Sequence, residues 1–530
     1  MMAIQHGRRY FLQAGLAAGI ATSARFGFAD PAIFEGSGVF DARAFGAKGN
    51  GEALDTGALQ RAIDAAAASG GLVYVSPGTY RTGTLFLKSN VSLQLEAGAT
   101  LLGSKNLEDY PSVQPALRSY TDTYVHQSLI YGENLENVAL LGRGTIDGQG
   151  GAFRGEYRVR PYLIRMVGCR NVQVADLTMK DSPMWVQHYL ACENLAIRGL
   201  AVHSRCNENN DGIDIDACRN VRISDCEVWS GDDAIVLKST LAQPCRDVTI
   251  TNCVLSSDCN ALKLGTESVG GFDNIVISNC SIYDTHLSGL ALELVDGGLL
   301  ENVSVSNLVM RDVRSAIFLR LGNRARPPYE GAPNPGLGRL RNVVVQNVQA
   351  TGADKIGCAV VGLAERPLEN VTLSNIRIRF EGGGTEADTG LTIPELAEAY
   401  PEYKMFGVLP AYAFYCRHVR NIRFLDVEVA PEREEFRPAL VSDDVQDLKL
   451  SDFRAANSNP VLLLRNTRHA WIQGSHAPEG NQVYLRLQGR KTENVRLVTN
   501  DLRRSARPVD RASEVPPDSV IEEAAVRTGL

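Results

Sequence analysis

The sequence has no sustained run of basic residues: its 61 Asp and Glu outnumber its 54 Lys and Arg, for a formal net charge of -7. Nucleic-acid-binding proteins normally carry a basic patch that neutralises phosphates, so we expect no nucleic-acid partner. The weak acidity does not exclude an anionic substrate, because a local basic cleft can still bind one. The apolar run at residues 14–21 is too brief to cross a bilayer. We therefore expect no membrane span.

Metal-binding spacings are also absent. None of the 11 cysteines belongs to a Cys-x-x-Cys pair or to a Cys/His cluster with zinc spacing. The sequence therefore predicts no metal site and no cofactor. The odd number of cysteines favours free thiols that act as small core residues over a set of disulfides.

The first 29 residues are predicted to be an export signal. Arg8-Arg9-Tyr10-Phe11-Leu12 precedes the short apolar run, and small residues suitable for cleavage follow near Ala24 and Ala29. The pattern is similar to a bacterial twin-arginine signal, which predicts a periplasmic or secreted protein. Cargo of that pathway is expected to fold in the reducing cytosol, which again favours free thiols.

A phrase of the form Asn-hydrophobic-x-hydrophobic recurs along most of the chain. It begins at Asn137, Asn171, Asn194, Asn220, Asp247, Asn274, Asn302, Asn342, Asn370, Asn421, Asp447 and Asn494. From Asn171 to Asn302 the successive spacings are 23, 26, 27, 27 and 28 residues. Alternating Val, Ile and Leu indicate strands, and a period near 25 residues is typical of one coil of a parallel β-helix. Leucine-rich repeats lack this spacing, and propeller blades need about 40 residues.

Two side-chain columns support this coil assignment. Cys226, Cys253 and Cys280 each lie six residues after the start of their phrase, so they are predicted to stack in the core. An amide ladder is predicted at the adjoining turn, where stacked side chains can satisfy one another. Its members are Asn252, Asn279, Asn307, Asn347 and Asn375.

The sequence predicts three further segments after the signal. Residues 30–104 form an N-terminal cap and the first coils, with a helix at residues 57–68 that covers the open end of the solenoid. Residues 105–502 form the β-helix. Residues 503–530, rich in Arg, Glu and Pro without periodicity, are expected to be a loose tail. Two long repeat gaps are expected to project as loops that wall a cleft; they contain residues 324–338 and 381–415.

The middle coils carry two acidic turns, Asn209-Asn210-Asp211-Gly212-Ile213-Asp214 and Ser230-Gly231-Asp232-Asp233. Five segments align without gaps at this point: DGIDID from Asp211, DAIVLK from Asp233, NALKLG from Asn260, SGLALE from Ser288 and SAIFLR from Ser315. Period two points the side chains at their third and fifth positions inward and those at the first, fourth and sixth outward.

This alignment places three carboxylates close together. Coils lie about 4.8 Å apart, so Asp211 and Asp233 become neighbours, with Asp232 beside them. Acids at this spacing, without a matched basic partner for each, repel one another and raise at least one pKa. That arrangement suits glycoside hydrolysis, which needs one protonated and one ionised carboxyl. An Asp-rich turn that caps its own backbone, or a calcium site, is the alternative.

The chain resembles glycoside hydrolase family 28, the polygalacturonases and rhamnogalacturonan hydrolases. Residues 40–104, the Asn-x-Asp-Gly-Ile-Asp and Ser-Gly-Asp-Asp turns and the strand that follows the second turn carry the likeness. The likeness spans roughly residues 40–313. It implies a right-handed parallel β-helix that hydrolyses α-glycosidic bonds of a pectic poly- or oligosaccharide with inversion.

The resemblance also implies roles. Asp232 is expected to be the general acid, and Asp211 with Asp233 to hold and deprotonate the attacking water. Carboxyl groups about 5 Å apart would by themselves suggest retention, because inversion usually needs roughly 6.5 to 9.5 Å. Inversion therefore follows from the likeness alone.

Two family elements are replaced in this chain. The family's Gly-His-Gly falls on Cys259-Asn260-Ala261, and its uronate-gripping Arg-Ile-Lys falls on Ala291-Leu292-Glu293. Unmodified polygalacturonan is therefore a doubtful substrate. We hypothesise that Lys263 or Arg320 replaces the missing cation, or that Glu293 binds sugar hydroxyls.

Further residues are candidates for substrate contact. Substrate-binding candidates besides Lys263, Glu293 and Arg320 are Asn209, Asp214, Asn260, Trp185 and His188. Lys238 is expected to form a stacked ion pair with Asp216. The return of the longer insertion could close one end of the cleft and make the enzyme exo-acting.

Two rival functions remain open. A β-helix polysaccharide lyase would use a Lys or Arg base, often with calcium, and would release an unsaturated product. A non-catalytic carbohydrate-binding solenoid or adhesin would keep the coils without needing the three acids.

Overall fold

The protein is a right-handed parallel β-helix, as the repeat and the family likeness predicted. The computed structural model describes residues 38–154, 159–456 and 458–523. Strands pair in parallel with strands one coil earlier and later, so β17 lies between β14 and β20 in one ladder. The predicted export signal at residues 1–29 lies outside the described residues. Within the described ranges, no helix is long and apolar enough to cross a membrane.

The N-terminal strands are short. They are β1 (Val39–Asp41), β2 (Asn50–Leu54), β3 (Gly71–Val75), β4 (Gly78–Thr82), β5 (Leu85–Phe86), β6 (Val91–Leu95), β7 (Ala99–Gly103), β8 (Ser128–Glu133), β9 (Glu136–Gly142), β10 (Thr145–Asp147), β11 (Tyr162–Val167), β12 (Arg170–Ala175) and β13 (Thr178–Lys180).

The middle coils have three strands each, one per face, until the strands fuse around the corners. These strands are β14 (Gln187–Leu190), β15 (Glu193–Arg198), β16 (Ala201–Ser204), β17 (Ile213–Asp216), β18 (Arg219–Ser224), β19 (Glu227–Ser230), β20 (Ile235–Ser239), β21 (Cys245–Thr251), β22 (Val254–Ser257), β23 (Leu262–Ser268), β24 (Phe272–Leu294) and β25 (Leu299–Leu321).

The C-terminal coils continue the same stack. Their strands are β26 (Arg339–Ala353), β27 (Cys358–Val361), β28 (Leu368–Phe380), β29 (Phe414–Pro431), β30 (Leu440–Ala455), β31 (Leu462–Arg465), β32 (Arg468–Gln473), β33 (Val483–Gln488), β34 (Glu493–Val498), β35 (Arg507–Arg511) and β36 (Val520–Glu523). The helices are α1 (Thr56–Ala67), α2 (Glu386–Thr389) and short 3₁₀ turns at Ala42–Phe45, Leu107–Asp109, Tyr120–Thr123 and Gly150–Phe153.

The core consists of the side chains that the period-two alignment pointed inward. All are fully buried: Ile213, Ile215, Ile235, Leu237, Leu262, Leu264, Leu290 and Leu292. The register of the aligned segments is also confirmed, since Ile213 pairs with Ile235 and Ile235 with Leu262. Stacking of identical apolar positions coil upon coil therefore builds one continuous core.

The outward positions of the same strands are largely covered, which the sequence did not predict. Phe318 and Val361, from two neighbouring coils, pack with Ile393, Tyr403 and Phe406 of the long insertion in a second hydrophobic cluster. An outward side chain on these coils therefore faces a packed insertion instead of open solvent.

Both predicted columns are present, but the amide ladder starts at Asn279, because Asn279 donates to Thr251 and Asn252 donates to Asp225. The Asn307 amide donates to Asn279 and accepts from Asn347, and the same contact continues to Asn375. Cys226, Cys253 and Cys280 lie in the core, and all 11 cysteines are free thiols. A second thiol column that the sequence analysis missed contains Cys169, Cys192, Cys218 and Cys245.

Helix α1 starts one residue before the predicted position and packs on β1 and β3. Leu59 and Ile63 are fully buried as expected, whereas Ala67 is only partly buried. The Asp55 carboxylate accepts from the backbone of Lys48 and Gly49 and makes no contact that caps the helix. The role of α1 as a cover for the open end remains a prediction.

The expectation of a loose tail at residues 503–530 is wrong for its described part. Strands β35 and β36 pair in parallel with β33 and β34 and add a further coil. Val515 is 4% exposed, so even this Arg- and Pro-rich segment contributes to the core. Its short strands lack the Asn-led phrase, which is why periodicity did not reveal them. Residues 524–530 lie outside the described part.

The amide ladder should stabilise the protein through both hydrogen bonding and backbone conformation. Asn307 has a φ of 57° and ladder contacts of 2.8 and 2.9 Å. We expect Asn307→Ala to cost about 2 kcal/mol, because it loses the amide contacts and strains a left-handed residue. Asn307→Gly, which tolerates this φ, should cost less. Urea denaturation of the two variants tests this order, and an equal or larger cost for glycine would refute it.

Candidate active site

Two turns on successive coils bring the acids together. The Gly212 N–H donates to the Asp233 carbonyl at 2.9 Å, and the Ala234 N–H donates to the Asn260 carbonyl at 2.8 Å. A Cβ at Gly212 would lie 2.4 Å from Val228 and 2.5 Å from the Ala234 carbonyl. Only glycine therefore lets the two turns approach this closely.

Asn210, which the sequence analysis passed over, shapes the first turn. Its buried side-chain oxygen accepts from the backbone of Cys206 and Asn207, and its amide donates to the carbonyls of Ser182 and Met184. One side chain thus ties the loop that precedes Asp211 to the coil below. The Asn-Asn pair in the motif was the available signal.

Asp232 is the partly exposed member of the trio, whereas Asp211 is 3% and Asp233 2% exposed. One Asp232 oxygen accepts from the Asp233 N–H at 2.9 Å, and the other lies 3.5 Å from the exposed Asn209 amide. Solvent and ligands therefore reach the cluster through Asp232.

Asp233 is held by two neighbours on the next coil. One of its oxygens accepts from the Asn260 amide at 2.8 Å, and the other contacts the Lys263 ammonium at 3.0 Å. Asn260, at the position of the family's missing histidine, therefore orients the carboxyl in this structure. Its own amide oxygen accepts from the Ser288 N–H, which fixes the amide in turn.

Lys238 does not pair with Asp216, contrary to the prediction. Although the two residues are in register, Lys238 contacts Asp211 at 3.6 Å and Asp214 and Glu267 at 3.5 Å. The backbone N–H and the hydroxyl of Thr240 instead donate to the two carboxyl oxygens of Asp216. The acids are thus matched by a buried ammonium, a partner that the sequence analysis did not assign.

Lys263 also contacts Glu293, at 3.6 Å. Glu293 is fully buried, and neither of its carboxyl oxygens has a hydrogen-bond partner. Burial raises the pKa of Glu293 to about 8, and Lys263 opposes that rise. At neutral pH this carboxyl is therefore largely protonated.

The catalytic candidates themselves have perturbed pKa values. Burial and then the charge of Asp233 raise the pKa of Asp232. Burial, then Asp232 and Asp214, raise the pKa of Asp211 well above its usual range, against the pull of Lys238. Burial favours neutral lysines, but the surrounding carboxylates raise the pKa of both Lys238 and Lys263. These carboxyl groups therefore hold their protons to a higher pH than free aspartates do, and both lysines stay charged.

These motifs are matched by one family model, "Glycosyl hydrolases family 28", over residues 75–394. The chain belongs to glycosyl hydrolase family 28. It is 36% identical over 212 residues to a "Probable polygalacturonase" of Vitis vinifera, covering 37% of this chain and 43% of that protein. It is 27% identical over 259 residues to the "Exo-poly-alpha-D-galacturonosidase" of Dickeya chrysanthemi, covering 39% and 42%. The matches thus span about two-fifths of these relatives.

Solved family 28 structures share the fold. An exopolygalacturonase from Thermotoga maritima superposes with a TM-score of 0.56 at 26% identity, covering 64% of this chain and 87% of that one. A family 28 exopolygalacturonase from Yersinia enterocolitica gives a TM-score of 0.59 at 19% identity, covering 82% and 78%. The second likeness supports the fold alone.

Two predicted substrate contacts lie away from the partly exposed Asp232. His188 is fully buried and stacks on Tyr162. Arg320 is fully buried and donates to the carbonyls of Gly362, Glu395 and Leu396. Both expectations are therefore corrected: His188 packs in the wall, and Arg320 anchors the long insertion.

Trp185 and Asp214 lie beneath the acids. Trp185 is 8% exposed, and its ring lies 4.6 Å from the Lys238 ammonium. Asp214 is fully buried, and neither of its oxygens has a hydrogen-bond partner. In this structure both residues contact Lys238 and are closed to a ligand.

The two insertions line the rim of the opening, as predicted. Arg326 lies 3.6 Å above the Tyr120 ring and pairs with Glu267. From the other insertion, the Tyr400 ring lies 5.4 Å from the Arg324 guanidinium and 5.7 Å from the Lys263 ammonium. Tyr400 is 52% exposed, so an aromatic face borders the acids. The sequence offered no signal for Tyr400, because its place depends on how the insertion folds back.

A metal could be considered at only one point of the site. Ligand atoms of Asp232, Asp233 and Cys259 lie within 4.8 Å of one another. Asp233 is already bound by Lys263 and Asn260, and burial raises the pKa of the Cys259 thiol far above neutral. A protonated thiol is a poor metal ligand, so the donor set does not fit a resident cation.

The raised pKa of Glu293 predicts a pH-dependent loss of stability. Its pKa is about 8 in the fold and 4.5 for a glutamate exposed to water, so the folded state binds one more proton between these limits. Stability should therefore fall as pH rises from 4.5 to 8, by no more than about 4 kcal/mol. Glu293→Gln should flatten this slope. Urea denaturation across that range measures it, and an unchanged slope in the variant would refute the assignment.

Proposed function

We propose that the protein is a hydrolase that cleaves α-glycosidic bonds of a pectic poly- or oligosaccharide. The observation that carries this proposal is the placement of Asp211, Asp232 and Asp233 on adjacent turns at one opening. Membership of family 28 and the galacturonan-cleaving relatives support it.

Asp232 is proposed as the general acid. It is the most exposed carboxyl of the trio, and its raised pKa favours the protonated form that a general acid needs. A carboxylic acid at the edge of an opening can protonate the leaving glycosidic oxygen. The Asp233 N–H, bonded to one oxygen of Asp232, fixes the carboxyl plane.

Asp233 and Asp211 are proposed to position the attacking water, and Asp233 to accept its proton, because the raised pKa of Asp211 favours its protonated form. Lys263 and Asn260 orient Asp233, and Lys238 lies 3.6 Å from Asp211. One Asp211 oxygen is buried without a hydrogen-bond partner, so it remains available to a water. Inversion is part of the proposal on the strength of the family likeness.

Exo action is proposed from the insertions. Contacts of Arg326 with Tyr120 and of Arg324 with Tyr400 join both insertions to the rim. A closed rim on one side admits a chain end more readily than a chain interior. Export by the predicted twin-arginine signal would bring the enzyme to such substrates.

A lyase mechanism is disfavoured by the two lysines. A lysine that abstracts a proton needs a lowered pKa, whereas the carboxylates around Lys238 and Lys263 raise theirs. Neither ammonium can accept a proton while it is charged. A hydrolase is therefore the better match to this charge arrangement.

Digests of homogalacturonan, rhamnogalacturonan and their oligomers, each with and without a chelator, test the proposal. Hydrolysis predicts saturated products whose release resists the chelator, and exo action predicts that only small sugars appear early. Chelator-sensitive release of ultraviolet-absorbing products would indicate a lyase. Failure to cleave any of these substrates would indicate a non-catalytic carbohydrate-binding protein.

A further inference from the structure

The cations next to the acids are already bound by carboxyl groups. Lys263 contacts Asp233 at 3.0 Å and Glu293 at 3.6 Å, and its side chain is 4% exposed. Lys238, 6% exposed, lies between three carboxyl groups at 3.5 to 3.6 Å. Each ammonium therefore has at least two acidic partners before any ligand arrives.

The arginines at the rim are bound in the same way. Arg324 pairs with Asp296, and Arg326 pairs with Glu267. On the other side, Arg160 is 2% exposed and donates to the Glu208 carbonyl and the Asn209 amide oxygen. Its guanidinium is thus enclosed by the loop that precedes the acids.

Acidic groups also outnumber these basic ones. The four cations are Lys238, Lys263, Arg324 and Arg326. They contact six carboxyl groups, those of Asp211, Asp214, Asp233, Glu267, Glu293 and Asp296, and the partly exposed Asp232 is a seventh carboxyl group beside them. A free carboxylate on the ligand would find all four cations already in contact with carboxyl groups and would have to displace one of them.

We propose that the sugar unit bound at Asp232 and Tyr400, next to the buried Lys263, carries no free carboxylate, and is either a neutral sugar or an esterified uronate. This inference rests on the proposed function and names its substrate class. The half-exposed Tyr400 ring beside Lys263 offers an apolar face on which an uncharged sugar can stack. Selectivity then comes from excluding the charged form, an energetic penalty against the wrong ligand.

Calorimetric binding to the Asp232→Asn protein tests this inference without turnover. The probes are trigalacturonate, its fully methyl-esterified form, and a rhamnogalacturonan tetramer with rhamnose at its non-reducing end. We expect one of the last two to bind at least about tenfold more tightly than trigalacturonate. The substitution adds no negative charge, so it cannot by itself produce discrimination against trigalacturonate. Equal or tighter binding of trigalacturonate, or no binding of either other probe, would overturn the inference.

Glu293→Gln in the same background gives a second readout. It removes a carboxyl partner of Lys263 that ionises above a pKa of about 8, so near pH 8.5 the affinity for trigalacturonate relative to its methyl ester should rise by about threefold or more, whereas near pH 6 it should not change. Glu301→Gln, whose side chain pairs with Arg341 elsewhere on the solenoid, is the control and should leave the ratio unchanged. An unchanged ratio in both variants near pH 8.5 would contradict the role of Glu293.

The inference and the proposed function fail separately. Wild-type protein that releases saturated sugars but prefers the free acid remains a hydrolase, with the substrate class wrong. If the protein prefers the methyl ester or the rhamnose-ended probe but cleaves no substrate, the inference about the bound sugar holds and the proposal of hydrolysis fails.

Discussion

Asp232→Asn is expected to lower kcat by at least about 10³-fold, because it removes the only proposed proton donor to the leaving group. The asparagine oxygen can still accept from the Asp233 N–H, so the turn should keep its shape. The fold should not be weakened. Since the pKa of Asp232 is raised in the folded state, ionisation of this carboxyl costs free energy that an asparagine avoids.

Steady-state rates on the best substrate, with urea denaturation alongside, measure both effects. Asp258→Asn is the matched control: it lies in the corresponding turn one coil later, is partly exposed and pairs with Arg205 and His286 instead of with the trio. It should keep kcat within about threefold of wild type. Activity of Asp232→Asn close to wild type would remove Asp232 from the role of acid.

Lys238→Met is expected to destabilise the protein by about 3 to 5 kcal/mol, because it leaves buried carboxyl groups without their cation. Without the ammonium, the pKa values of Asp211 and Asp214 should rise further. An acid whose folded pKa is raised stabilises the fold only while protonated, so the loss should be larger at pH 8 than at pH 5. Activity should fall as well, since Asp211 loses its anchor.

Lys180→Met is the control for Lys238→Met. Its side chain is 43% exposed, and it pairs with Asp147 at 3.6 Å. A surface pair of this kind contributes at most about 1 kcal/mol. Comparable losses in the two variants, or a loss at Lys238 that does not depend on pH, would contradict the buried network.

The coils could be predicted from the sequence because each coil of a β-helix repeats the strand pattern of the one before it. Each inward Ile or Leu stacks on the equivalent residue one coil away, so period and alternation suffice to place Ile213 or Leu264. The Asn307 ladder was predictable for the same reason. At residues 503–523 the Asn-led phrase is missing, and the strands there were therefore not predicted.

The trio was predictable, but the charges around it were not. Adjacent coils dictate that Asp211 and Asp233 stack, whereas the direction of the Lys238 side chain depends on which acid is left without a donor. Thr240 satisfies Asp216, so Lys238 turns to Asp211 instead. This choice arises from a side chain two residues further along, and periodicity carries no information about it.

The insertions set the remaining limit on prediction. Their length indicated loops beside a cleft, yet nothing in the repeat gave their fold. Arg320 was therefore expected at the substrate, although it anchors the long insertion, and Tyr400 was not expected there, although it borders the acids. Non-periodic segments take positions that depend on tertiary packing alone.

Hydrolysis by the stacked aspartates is tested most directly by cleavage in ¹⁸O-labelled water followed by mass spectrometry of the products. The account predicts one ¹⁸O atom at each new reducing end with wild-type protein, and none above background with Asp232→Asn. An unlabelled, unsaturated product, or equal labelling by both proteins, would contradict it.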